Sequence, residues 1–268
     1  ATPSPLVSVS FQMLGGAAGV SLAGALAAWL GWRAIFVVLG ALFIVIAALL
    51  RRELARNEPL RLDGDRSVTI ANALRRMAGL LLRPWARVIL AVVAIECALS
   101  MGVFAYVAWD LQHRHGVSLA LSGFWIVAYP AGGLLYATFS APLVARLGEQ
   151  GLALAGGLLI GAGYLCLLLA PAALVVLPGL LAVGLGFAML HNTLQVNATQ
   201  MAPEARGAAV SLFAFCLFTS QSAGIAVVGR VIDAAGIWPA YLAAALGLPL
   251  LALEFRRRLR HKAASSAA

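Results

Sequence analysis

The run AVVAIECALSMGVF, residues 91–104, sets one carboxylate, Glu96, among apolar and small side chains. A carboxylate in such surroundings can take up and release a proton or hold a cation, and Ser100, one helical turn on, shares its face and can hydrogen-bond the same ligand or a water. A second polar set, LHNTLQVNATQ at residues 190–200, brings Asn192, Gln195 and Thr199 to helical spacing. Tyr129, Tyr136, Gln221 and Ser222 are further polar side chains inside otherwise apolar stretches. Each of these can line a cavity or act as hydrogen-bonding glue between helices.

Catalytic chemistry finds little support. The cluster DLQHRH offers Asp110, His113 and His115 as metal donors, and His191 is the only histidine inside a span, but neither has a second ligand group beside it in the sequence. Asp63 and Asp65 lie in a polar linker, not on a membrane helix, so they do not form an intramembrane protease pair. No glycine-rich phosphate loop is present, which argues against an ATP-driven pump. The reading is of no enzyme, no resident metal and no cofactor.

Whether Glu96 lies in water or in lipid follows from composition. Hydrophobic residues make up 62% of the 268 and charged residues 11%, with a mean hydropathy of +0.95; soluble domains carry about 25% charged residues. Apolar runs of roughly 20 residues, the length that spans a bilayer core, recur along the chain. Strand-like alternation is missing, which excludes a barrel. The fold class is therefore all-α, a polytopic transmembrane helical bundle of about eight spans: 6–29, 33–50, 86–108, 119–143, 151–170, 173–197, 207–228 and 237–255.

The one long polar segment separates the second span from the third. Within it Ser67 is a helix N-cap, and Ile70, Leu74, Met77 and Leu81 recur opposite Arg75 and Arg76. That pattern fits an amphipathic helix on the membrane surface or a solvated connector, ended by Pro84. Nine arginines from Arg51 to Arg87, then Arg146, Arg206 and the tail RRRLRHK, fall on one side of the membrane, whereas only Arg33, Arg114 and Arg230 fall on the other. By the positive-inside rule both termini are cytoplasmic. The net charge of +9 then reports membrane orientation and not nucleic-acid binding. All six tryptophans fall near span ends, as an interfacial belt requires. Cys97, Cys166 and Cys216 sit inside spans and read as packing residues.

Two stretches carry a family resemblance. LGWRAIF, Leu30 to Phe36, resembles the outer turn between helices five and six of the major facilitator superfamily, and ATQMAPEARGAAVSLFAF, Ala198 to Phe215, resembles the inner turn between helices ten and eleven of its drug and sugar efflux branches. APLVARLGEQ, Ala141 to Gln150, is similar to the family's inner loop signature, keeping Leu143, Arg146 and Gly148, with Ala141 and Ala145 in place of a glycine and the aspartate. Gly15, Gly19 and Gly24 are similar to the antiporter glycine motif, with Val20 in place of its proline and Ala23 in place of a glycine.

The resemblance implies helices five to twelve of a transporter. Residues 1–50 would be the last two helices of the first half, 51–85 a cytoplasmic linker, 86–256 the six-helix second half and 257–268 a basic tail. The opening ATPSPLVSVSF has no initiator methionine and no signal-peptide pattern, so the chain reads as the interior of a longer protein lacking four helices. The implied function is proton-coupled efflux of a small drug-like or sugar-like molecule across a bacterial cytoplasmic (inner) membrane, with substrate, protons and the lipid bilayer as partners. Uptake or uniport, and a truncated protein that does not transport, remain the alternatives.

Under that reading Glu96 couples the proton, or pairs with a cationic substrate. At 1.5 Å per residue it lies roughly 14 Å beyond Arg87 and 21 Å before Asp110, near the bilayer midplane, where a carboxylate is either neutral or faces water and a partner. Without the family it is also a protonated structural group between helices. The glycine faces Gly15–Gly19–Ala23 and Gly157–Gly161 allow close helix approach, either static or sliding during alternating access. In PEARG, Glu204, Arg206 and Gly207 either begin a helix or latch an inner gate through Arg206 and Glu204.

Overall fold

The computed structural model describes residues 15, 19, 22, 23, 26, 27, 29–56, 75 and 77–267. Ser67, Ile70, Leu74 and Gly24, with most of the first span, lie outside them. Eight α-helices carry the later spans: α1 (Trp32–Arg56), α2 (Pro84–Phe104), α3 (Val107–His113), α4 (Leu119–Ile126), α5 (Ala128–Leu169), α6 (Val176–Gln200), α7 (Arg206–Ala235) and α8 (Trp238–Ala267). No strand occurs among the described residues. Six of the described helical stretches are long and apolar enough to cross a membrane. The 51-residue stretch Leu119–Leu169 holds two of the expected spans, because α5 is broken at Gly148 with φ +59°. Glycine has no Cβ to clash in that left-handed conformation, so the chain can turn there with one residue.

Helices two to eight pack as a bundle around one large core and a smaller cluster of Tyr136, Leu152, Ala188 and Met189; the wholly buried large side chains of the core include Tyr164, Leu167, Leu180, Leu190, Tyr241, Leu248 and Phe255. In contrast, α1 is exposed along its length. Of the linker helix, Met77 packs against the core and Leu80 is buried, while Leu81 is exposed. The expected apolar face thus includes Leu80 in place of Leu81, since the helix unwinds into a turn at residues 81–83 and Pro84 opens α2. The three cysteines are free thiols.

Because lipid tails are as apolar as leucine, helix association in a bilayer depends on close backbone approach at small residues. Small residues seal α5 to α6 at three places: a Cβ on Gly132 would collide with the backbone at Leu181 and Leu185, one on Gly156 with Gly186 and Leu190, and one on Gly163 with Gly179 and Val183. Gly157 and Gly161, expected as a close-packing face, press on α8 at Leu248, Ala252, Ala245 and Pro249. Between α2 and α7 the seam is Gly102 and Ala98 against Gly224.

At the end of the bundle far from the basic tail, Asp110 is buried and accepts hydrogen bonds from Tyr241 Oη at 3.0 Å and from Arg114 at 3.1 Å. Arg114 also donates to the carbonyls of Leu168 at 3.1 Å and Leu167 at 2.5 Å, closing the C-terminus of α5. The basic side chain complements both the carboxylate and the negative end of that helix dipole. Arg114→Gln leaves Asp110 with Tyr241 alone and two helix-end carbonyls open. The expected loss is on the order of 2–3 kcal/mol, read as a lower melting temperature of the purified protein, and a melting temperature equal to wild type would remove the clamp.

Candidate functional site

Glu96 lies twelve residues into α2, wholly buried, and faces His191 of α6. His191 Nδ1 and Glu96 Oε2 are 2.9 Å apart, and the imidazole retains 16% side-chain exposure. The pair thus joins two helices near mid-depth, with one member sealed from solvent and the other at its edge. Glu96 Oε1 and Ser100 Oγ, one turn apart on the same face of α2, are buried and have no partner. Buried polar atoms are nearly always hydrogen-bonded, which sets these two apart. The backbone carbonyl of Ser100 is held by Tyr164 Oη at 2.6 Å, which fixes α2 against α5.

Aromatic side chains surround the pair. His191 stacks on Phe187 at a centroid distance of 4.8 Å and an interplanar angle of 10°, with Phe213 at 5.6 Å on another side. Phe187 lies 6.1 Å from Tyr129, and Tyr129 lies 4.3 Å from Phe104. These rings form a row from Phe104 to His191, and Phe104, Tyr129 and Phe187 are only partly buried. Tyr129 Oη sits 3.8 Å from Met101 Sδ, a weak acceptor.

The other expected residues are distributed around this centre. Tyr136 and Asn192 share a cavity of about 270 Å³ with Thr193, Glu149 and Gln200, and Asn192 donates to the Ala188 carbonyl at 2.9 Å. Gln195 is exposed, although it lies at helical spacing from Asn192. Gln221 is partly buried on α7 and takes no part in these hydrogen bonds. Gly15 and Gly19 are helical and exposed. Gly24 lies outside the described residues.

Two expected contacts are replaced by others. Glu204 pairs with Arg83 and not with Arg206, which is exposed. Residues two apart do not face each other on a helix, whereas Arg83, at the foot of α2, reaches across and also donates to the Met201 carbonyl at 3.3 Å. Both partners are about half exposed, so the pair contributes little to stability. Gly207 opens α7 beside it with open space around its Cα.

In the loop of Arg146 and Gly148, where Ala145 stands in place of an aspartate, the acid that makes contacts is Glu149. It accepts from Asn197 Nδ2, and Asn197 Oδ1 accepts from Lys262 Nζ at 3.3 Å. Arg146 itself is exposed.

The sequence alone left His191 without a partner and did not single out Glu149, Asn197 or Lys262. One signal was available: an acid and a histidine, each at mid-depth in its own span, are the groups for which lipid leaves few alternatives to each other. The cluster Asp110, His113 and His115 does not converge on a metal site. Asp110 faces Arg114 and Tyr241, His113 Nδ1 lies 2.8 Å from the Trp109 carbonyl, and His115 Nε2 accepts from Arg114. Partial burial and the adjacent guanidinium hold His115 below the usual imidazole range. Cys97 brings its sulfur within 4.8 Å of the Glu96 and His191 donor atoms.

Among curated proteins no match is found. The sequence model described as Major Facilitator Superfamily matches residues 7–225, covering the first span, α1 to α6 and most of α7. Helices that span the membrane and seams of small residues fit that family of membrane transporters. The chain belongs to the major facilitator superfamily of secondary transporters.

Proposed function

We propose that the protein exports a small organic molecule in exchange for protons, with Glu96 and His191 as the coupling pair. The observation that carries this reading is their 2.9 Å contact at mid-depth of the bundle. One proton on the pair leaves it neutral overall, a second gives it a net positive charge and none leaves it anionic. In lipid the two charged loadings are each costly unless water or a charged substrate faces the pair, so proton loading is tied to which side is open. The vacant Glu96 Oε1 and Ser100 Oγ supply the point where substrate or water meets the pair.

The partly exposed rings of Phe104, Tyr129 and Phe187 suit an aromatic or amphiphilic molecule, which favours a drug-like substrate. The direction of transport rests on the likeness of residues 198–215 to efflux permeases. In this reading Tyr136, Asn192, Gln195 and Gln221 flank the substrate path. Gly15, Gly19, Gly24, Arg146, Gly148, Glu204, Arg206 and Gly207 belong to the parts that move. The basic end faces the cytoplasm of a bacterial inner membrane, as the asymmetry of arginines supports.

The test is a flux measurement on the full chain in lipid vesicles that trap a pH-sensitive dye, with a panel of amphiphilic cations and sugars. Addition of a transported compound is expected to move protons in the opposite direction, faster as the imposed pH gradient steepens. Transport of any compound at a rate indifferent to the gradient, with no dye response, would remove proton coupling.

A further inference from the structure

A groove of about 890 Å³ runs between α2 and α8 at the basic end. Its lower wall is apolar, from Val88, Ala91, Ile95 and Leu251, and its rim is cationic, from Arg87, Arg257, Arg258 and Lys262. Arg87 and Ile95 are eight residues apart on α2, so the groove descends roughly 12 Å from rim to floor, most of one leaflet of a bilayer core about 30 Å thick. Glu254, the only acid on the groove, is already bound by Arg258 at 2.8 Å. Lys262 lies over the Trp85 ring at 4.4 Å and holds Asn197. Arg87 and Arg257 are exposed and pair with no carboxylate among the described residues. The indole N–H of Trp85, on the same groove, is buried with no acceptor.

We infer that this groove binds an anionic phospholipid of the leaflet at the basic end. Its acyl chain lies against Ala91, Ile95 and Leu251, and its phosphate sits between Arg87 and Arg257. The charge is complementary: four cations face one acid, and guanidinium forks match phosphate oxygens. The apolar wall gives the tail a place that a soluble anion would leave empty, which selects a lipid over free phosphate.

Native mass spectrometry of the full chain in detergent, titrated with equal amounts of phosphatidylglycerol and phosphatidylcholine, tests this. Phosphatidylglycerol is expected to be retained in preference. Arg87→Gln with Arg257→Gln should lower its occupancy on the order of tenfold, leaving phosphatidylcholine unchanged. Ile95→Trp, which fills the floor and keeps every charge, should also displace it. Glycerol phosphate, added to wild type at the same concentration, should not compete, and this arm needs no variant to fold. Equal retention of the two lipids by wild type, unchanged phosphatidylglycerol occupancy in the double variant, or displacement by glycerol phosphate would each overturn the inference.

Discussion

Glu96→Gln is expected to lower substrate-driven proton movement at least about 100-fold, the lower range for removing a positioned proton-transfer group. Glutamine keeps the volume of the side chain and can still hydrogen-bond His191, so the contact between α2 and α6 persists while the exchangeable proton is lost. Substrate exchange across the membrane without a gradient should therefore survive within a few-fold. Such a split separates coupling from folding, because a variant that merely unpacks would lose both. His191→Gln should behave alike, and the double variant should be no worse than either single one, as residues acting as one unit are not additive. Retention of pH-dependent transport by Glu96→Gln would end the coupling assignment.

The second large effect is structural. A Cβ on Gly224 would lie 2.7 Å from the Ala98 Cα and 2.8 Å from its carbonyl carbon, and a Cβ on Gly102 would lie 2.8 Å from the Gly224 carbonyl carbon. Backbone atoms cannot step aside as a flexible side chain can, so Gly224→Val must force α2 and α7 apart. Overpacking of this kind costs about 1–3 kcal/mol or more, equivalent to roughly 2–12 °C in melting temperature for a chain of this size. Ser222→Ala, two residues earlier and exposed, serves as the control and should melt like wild type. Size-exclusion profiles and thermal melts of the two variants decide the matter, and a stable, monodisperse Gly224→Val would mean the seam is not closed in the membrane.

Much of the architecture was legible because lipid imposes a coarse rule that hydropathy reads directly: long apolar runs become helices. The place of Glu96 inside an apolar helix followed from counting residues. Its partner did not, since His191 lies 95 residues away, and which two faces meet is decided by how α2 and α6 pack. Helical spacing placed Asn192 and Gln195 together, yet the helix surface turns enough between them that one lines a cavity and the other is exposed. The pairing expected between Glu204 and Arg206 failed for a local reason, as neighbours two apart diverge, and Arg83 was available from another helix. Glu149 takes up contacts in the loop where Ala145 stands in place of an aspartate, a substitution of position that no motif spacing predicts.

The glycine contacts between α5 and α6 set how load is carried through the protein. Gly156 and Gly163 hold α6 to the part of α5 beyond Gly148 and Gly132 holds it to the part before, so both halves of α5 move with α6, which carries His191. By contrast, α7 has only five buried residues along its thirty. A displacement at the Glu96–His191 pair is then shared by α6 and both halves of α5. Away from its seam with α2 at Gly102 and Gly224, α7 is the more lightly held helix, and the expected response is deflection of α7.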